Sequence, residues 1–138
     1  MINPISIAVS GLFSASKKAE VAANNIVNAD VVGSVDPNNP HQAYSPKVAV
    51  DTSLSSGGHG AGVNTVVLNR TPSFVPSFSP DSLFANSEGM VNAPNVNLDE
   101  EVVNLKVAEN AYKSSAEVIR TAREMQSTLL DALNNKTS

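Results

Sequence analysis

The chain has 138 residues and a formal charge of −4, with 9 Lys and Arg set against 13 Asp and Glu. That leaves room for one modest core and no basic run able to follow a phosphate backbone, so nucleic acid is excluded as an expected partner. Aromatic residues make up 4% and Trp is missing, so apolar burial has to come from aliphatic seams between helices, within one chain or between chains. The lack of Cys rules out disulfides and thiolate metal centres, and is compatible with passage of an unfolded chain through a secretion channel.

In chain order, Met1-Ile2-Asn3-Pro4-Ile5 has no basic n-region, and the apolar stretch behind it is broken by Ser6, Ser10, Gly11, Ser14 and Ser16. This is not the pattern of a cleavable signal peptide. No window holds about 18 uninterrupted apolar residues, so direct membrane insertion is not expected. Asn3 reads as an N-cap and Pro4 as the first helical residue, opening a helix that extends to Ala29. Ile5, Ala8, Leu12, Ala15, Ala19, Ala22 and Ile26 form one apolar row, and Ile2, Ile5, Val9, Leu12, Ser16, Ala19, Ala23 and Ile26 trace a second. Steps of three and four place each row on one helix face, and two rows imply more than one packing neighbour. The small Ala side chains favour close backbone approach over large transfer free energy. Asn24, Asn25, Asn28 and Asp30 then crowd the helix end, where such side chains bond nearby backbone.

Gly33, Pro37, Asn38, Asn39 and Pro40 are loop chemistry. Tyr44 to Asp51 and Val63 to Arg70 read as two short strands joined by a flexible loop over Ser55 to Gly62. Pro72, Pro76 and Pro80, with Phe74 and Phe78 between them, predict an extended segment with its rings laid against a neighbour and not a central strand. Asn86-Ser87-Glu88-Gly89 is a turn candidate, and Pro94 closes the insert. Asn97, with Glu100 three positions on, predicts a capping box, and Asp99, Glu100 and Glu101 suit the positive end of a helix dipole. One apolar face of this second helix runs through Leu98, Val102, Leu105, Ala108, Tyr112, Ala116, Ile119, Ala122, Leu129 and Leu133, and another through Val103, Val107, Ala111, Val118, Met125 and Ala132. At 1.5 Å per residue the helices would be about 40 and about 55 Å long. Glu109 with Lys113, and Glu117 with Arg120, are spaced to pair along the helix.

The expected fold is therefore mainly α: long N- and C-terminal helices packed antiparallel in coiled-coil fashion, with a small β-hairpin and extended insert between them. Residues 1–30 form the first helix, 31–96 the insert and 97–138 the second helix, as one structural domain. His41 and His59 fall in loops beside Pro or Gly, without a positioned nucleophile or a metal-ligand spacing. Gly58-His59-Gly60-Ala61-Gly62 is followed by a β-branched strand and not by the helix that a phosphate loop needs. Asp99-Glu100-Glu101 is accounted for as a helix start. No catalytic, cofactor-binding or metal-binding residue is expected, and the chain is not read as an enzyme.

The segment Ser10-Gly11-Leu12, followed by Ala22-Ala23-Asn24-Asn25-Ile26-Val27-Asn28-Ala29-Asp30, resembles the N-terminal signature of bacterial flagellar axial proteins. Pro80 and then Ala85-Asn86-Ser87-Glu88-Gly89-Met90-Val91, Pro94-Asn95-Val96-Asn97, Glu100-Glu101-Val102-Val103-Asn104-Leu105 and Ala111-Tyr112 are similar to the C-terminal half of basal-body rod proteins of the proximal, FlgC-like kind. Ala43-Tyr44-Ser45-Pro46-Lys47-Val48 fits that family's entry into the first strand. The resemblance implies a structural subunit whose helices pack with copies of itself and with other rod proteins around the export channel, in a shaft that transmits torque. It further implies a place in the periplasmic part of the basal body, reached through the flagellar export apparatus without a cleaved leader. The expected packing residues are Leu12, Ala19, Ala22, Ile26, Leu105, Tyr112, Ile119 and Leu129, together with Asn24, Asn25 and Asn28 of the signature; Gly89, Pro94, Asn95 and Val96 carry the C-terminal motif. A different reading of the same seams is a helical adaptor of the export system that receives a partner helix.

Overall fold

A computed structural model describes residues 4–134, with the side chain of Ser56 left out of the description. Helix α1 spans Pro4–Val27 and helix α2 Leu98–Asn134, with strands β1 (Lys47–Ser56), β2 (His59–Asn69), β3 (Phe74–Phe78) and β4 (Met90–Pro94) between them. Two long helices packed together, with small antiparallel hairpins in the connection, are the architecture expected from the sequence. The expected N-cap Asn3 and the apolar Ile2 lie outside the described residues.

The helices run antiparallel. Gly11 on α1 sits so close to Ser115 on α2 that a Cβ there would stand 3.0 Å from the serine hydroxyl, while Asn25 at the far end of α1 bonds Glu101 in the first turn of α2. Along this contact lie Ala8, Ala15 and Ala22 on α1 and Ala108 on α2, exposed by 9, 2, 1 and 1% respectively. Seven-residue steps separate the α1 alanines, the repeat that keeps one seam facing a partner helix. A methyl at each position brings the backbones together but removes little apolar area from water, at about 25 cal/mol per Å². The first apolar row of the sequence thus faces α2. In the second row, Ser16 and Ala23 are exposed.

Helix α2 outruns its partner. Pro4, at the start of the described α1, lines the same groove as Val118, and from Arg123 to Asn134 every side chain of α2 is exposed. Met125, Leu129, Leu130 and Leu133 in this stretch are 55 to 69% exposed. Ion pairs within the helix support it: Glu109 binds Lys106 and Lys113, and Arg120 binds Glu117 and Glu124. Each such pair, open to solvent, adds only slightly to the helix.

The β1–β2 hairpin is tighter and longer than the predicted flexible loop. Gly57 and Gly58 have φ of +59° and +79°, the left-handed conformation that a two-residue type I′ turn needs at both central positions, so β1 continues to Ser56 and β2 starts at His59. The register shifts between Leu54 and Ser55, which face Gly62 and Gly60 and leave Ala61 as the extra residue of a bulge. The Pro-rich segment is extended as expected but also pairs with β4, a strand that sequence patterning did not reveal. Pro76 is tolerated opposite Asn92 because the pair is a two-stranded sheet and β3 is an edge. The other edge of β4 meets Gly33, whose amide and carbonyl exchange 2.9 Å bonds with Asn92. A Cβ at Gly33 would stand 2.1 Å from the Ala43 backbone nitrogen.

Asn97 caps α2 as predicted, its Oδ1 accepting from the amides of Asp99 and Glu100 at 3.1 and 3.2 Å. The reciprocal half of the capping box is spent differently, because the Glu100 carboxylate is drawn to Arg70.

Replacing Ala15 with Leu is expected to force the helices apart and cost about 1–3 kcal/mol, the usual penalty for overpacking. Val103→Leu, on the exposed outer face, should leave stability unchanged. Thermal unfolding followed by circular dichroism separates the two, and equal melting temperatures would contradict the close seam.

Candidate assembly site

Two polar clusters tie the first hairpin to the helices, and the larger one begins with a residue of the N-terminal signature. The larger centres on Asn25, which is fully buried. Its Nδ2 donates to the Lys47 carbonyl at 2.7 Å and to Glu101 Oε1 at 3.0 Å. Its Oδ1 accepts from the Lys47 amide and from the Tyr44 hydroxyl, each at 3.0 Å. Both donors and both acceptor sites of the amide are therefore used, the condition under which a buried polar side chain is tolerated. Glu101, 2% exposed, shares its Oε1 with Arg70 at 3.1 Å, while Arg70 also forks onto Glu100 at 3.0 and 3.3 Å.

Arg70 is itself positioned by the end of β2, its amide donating to the Pro46 carbonyl at 2.7 Å. Its Nε is buried without a hydrogen-bond partner among the described residues. The Arg70 guanidinium holds the Glu100 carboxyl below its ordinary range, by hydrogen bond first and by charge second. Burial, and then the negative charge of Glu101, push the Tyr44 hydroxyl upward, which keeps it a neutral donor to Asn25. One cluster thus joins the end of α1, the start of β1, the end of β2 and the first turn of α2.

The second cluster lies two turns nearer the start of α1. Asp51 of β1 accepts at Oδ1 from Ser14 and Thr65, each at 2.8 Å, and at Oδ2 from Lys18 at 2.5 Å. Burial acts to raise the Asp51 carboxyl, but the bonds from Lys18, Thr65 and Ser14 together with the Lys18 charge outweigh it and leave the group below its ordinary value. Farther along, Ser10 Oγ accepts from the Val63 amide at 3.1 Å. A Cβ at Gly62 would stand 2.4 Å from that hydroxyl, so the glycine admits the hairpin to the helix.

Of the expected packing residues, Ala22 and Asn25 are buried, Leu12, Ala19, Ile26, Leu105 and Ile119 are half-buried along the helix pair, and Tyr112 and Leu129 are exposed. Asn24 and Asn28 turn back on their own helix, donating to the carbonyls of Glu20 at 2.9 Å and Asn24 at 2.8 Å. In the C-terminal motif, Gly89 takes φ +75° beside Phe78 and Pro80, Pro94 is buried, and Asn95 ties the insert together by donating to the carbonyls of Ser73 and Pro72 at 2.9 Å each. Val96 is half-buried. The roles of Arg70, Tyr44, Lys47, Asp51, Ser14 and Lys18 did not emerge from patterning. A lone Arg closing a strand, three carboxylates at a helix start and the signature Asn25 near a helix end were the available signal.

No group of three or more His, Asp and Glu side chains able to hold a metal ion occurs among the described residues. The same residues contain no helix long and apolar enough to cross a membrane. What the arrangement offers is mechanical: clamped helices with uncovered apolar faces, Val102, Val103, Val107 and Val118 on α2 being 50 to 60% exposed.

Residues 87–132 match the family described as flagellar basal body rod FlgEFG protein C-terminal. Over 125 residues, 91% of the chain and 92% of the relative, the sequence is 32% identical to the flagellar basal-body rod protein FlgC of Salmonella typhimurium. With FlgC of Escherichia coli O157:H7 the identity is 30% over the same span, and with that of Agrobacterium fabrum it is 28% over 127 residues.

Asn25→Ala leaves Glu101, Tyr44 and the Lys47 backbone with unmet bonds, and is expected to destabilise the chain by about 1–3 kcal/mol or more; denaturant unfolding measures it, and a neutral result would remove the cluster from its structural role. The pH dependence follows from Glu100 and Asp51. Both folded values lie below the ordinary 4.5 and 3.8, so their contribution is complete above those values and is lost as pH falls through the lower folded ones. The melting temperature should hold down to about pH 5 and then fall, less steeply in Glu100→Gln and Asp51→Asn. Unchanged acid slopes in both variants would contradict the assignment.

Proposed function

The chain belongs to the flagellar basal-body rod protein FlgC family, and on that premise we propose that it builds the proximal part of the rod, packing with further copies of itself and with other rod proteins around the export channel. The family is structural, and the chain is a rod subunit, not an enzyme. The observation that carries the proposal is the pairing of a thin internal seam with apolar faces left uncovered. The methyls of Ala8, Ala15, Ala22 and Ala108 supply little burial inside the chain, while the outer face of α2 and its whole distal end remain open. Such faces are stable in water when neighbouring helices cover them.

In this reading residues 1–30 and 97–138 are the axial helices and 31–96 the insert carried on them. Asn24, Asn25 and Asn28 hold the end of α1 in shape, and Leu12, Ala19, Ile26, Leu105, Tyr112, Ile119 and Leu129 pack within and between subunits. Torque is carried passively, because twisting the shaft would require many interlocked helices to slide at once. The chain reaches the periplasmic segment of the basal body through the flagellar export apparatus, unfolded, a route that the absence of disulfides leaves open. Nucleic acid has no part in this function, in line with the acidic balance of the chain.

Deleting the gene is expected to abolish swimming and to leave basal bodies without a complete rod; normal motility with intact basal bodies would overturn the proposal. In the purified subunit, amide exchange over residues 123–134 should approach the rate of an unprotected helix end and slow by at least tenfold in isolated basal bodies. Equal exchange in both states would show that distal α2 is not an assembly element.

A further inference from the structure

The β1–β2 hairpin is the least buried part of the fold. From Lys47 to Asn69 no described side chain is buried, whereas α1 buries six and the five-residue β4 buries two. Of the other helices and strands, only α1 packs on the hairpin. Ala49, Val63 and Val67 share the inward face with Asp51 and Thr65 by strand alternation, and all three are only half-buried. A two-stranded ribbon is marginally stable in water by itself, so this one persists because α1 holds it.

What holds it is a row of polar groups on one face of α1. Ser10, Ser14, Lys18 and Asn25 are spaced by four, four and seven residues, which stacks them along the helix. Their partners follow in order along the hairpin. Asn25 binds the carbonyl and the amide of Lys47 at 2.7 and 3.0 Å. Ser14 and Lys18 bind the Asp51 carboxylate at 2.8 and 2.5 Å, and Ser10 Oγ accepts from the Val63 amide at 3.1 Å. These three anchors are unequal. The Asn25 anchor is fully buried and is backed by Arg70, whose amide binds Pro46 and whose guanidinium binds Glu100 and Glu101. At the second anchor water competes, because the Lys18 and Asp51 side chains are 38 and 33% exposed, a setting in which an ion pair holds weakly. Ser10 offers a single bond, close to the bulge.

We propose that β1–β2 is a strap, fastened at Lys47 and Arg70 and opening from its glycine tip, with the Asp51 and Ser10 anchors as its latch. Few buried apolar contacts and bonds open to solvent are the marks of a segment that opens below the free energy of global unfolding. The alanine seam and the Asn25 cluster stay closed when the strap lets go, because neither latch anchor involves a residue of α2. Once released, the ribbon has no buried side chain to keep it paired, so its own strand bonds open with it. Opening uncovers the Ser14 face of α1, which is 7% exposed when the strap is shut. The strap is a property of the single subunit, independent of what surrounds that subunit in an assembly.

Amide exchange of the purified chain in low denaturant tests the strap. Amides of residues 49–54 and 62–67 are expected to exchange through an opening that costs less free energy, and depends less on denaturant, than the opening that exposes residues 12–22 and 104–115. Asp51→Ala and Ser10→Ala should each speed the hairpin amides roughly tenfold while leaving the helix amides and the circular dichroism unchanged. Thr52→Ala, beside Asp51 on the outward face of the strand, should alter neither region. One common opening for hairpin and helices in the native chain would overturn the proposal. So would latch variants that speed both regions equally or speed neither, or a Thr52→Ala effect as large as that of Asp51→Ala.

Discussion

The structure depends on one buried contact, the Asn25 amide against the Glu101 carboxylate, with Arg70 closing the other side. An alanine seam does not define its own register. Ala8, Ala15 and Ala22 repeat every seven residues, as do Ala108, Ser115 and Ala122, so a slide of one heptad would again set small side chains against small ones. It would also bring Asn25 opposite Ala108, leaving one amide hydrogen and the Glu101 carboxylate without each other, each costing about 1–3 kcal/mol or more. Burying Asn25 and Glu101 contributes little net stability compared with apolar side chains of the same size. What it contributes is a single alignment of the helices, with the hairpin hung from the same atoms.

Legibility in the sequence followed the strength of local signals. The helices were readable because Pro4 and Asn97 mark their starts and the apolar steps persist over many turns. The antiparallel pairing followed from a helix, a short insert and a returning helix. The seam itself was also visible, Ala8, Ala15 and Ala22 lying in the first apolar row. The Gly57–Gly58 turn was read as flexible because Gly60 and Gly62 nearby suggested a longer loop; those glycines instead serve a bulge and the close approach of Ser10. Strand β4 was hidden because Met90–Pro94 is short and ends in Pro, and its pairing is fixed by distant partners, Gly33 and β3. Arg70 was unreadable for the same reason: its meaning comes from Glu100 and Glu101, some thirty residues on. Local chemistry announces caps and turns, whereas a buried ion cluster exists only after the chain has folded.

The signature residues divide between two tasks. Ser10, Gly11, Asn25 and Asn95 act inside the chain, by bonding or by letting backbones meet. Val102 and Val103 of the C-terminal motif, with Val107 and Leu129 beyond it, are left outward. Polar atoms thus shape the subunit while apolar ones remain available for its proposed neighbours, the reverse of a free-standing globular domain, where apolar burial supplies most of the stability.

The ion-paired stretch of α2 from Lys106 to Glu124 bears on how fast such a subunit can be added to a growing end. Alternating carboxylates and bases one turn apart favour the helical form of this segment, so part of the ordering entropy that binding otherwise costs is already met. Preorganisation of that kind turns incorporation into a docking event between rigid surfaces. Salt that screens these pairs would weaken that helical bias in the incoming chain.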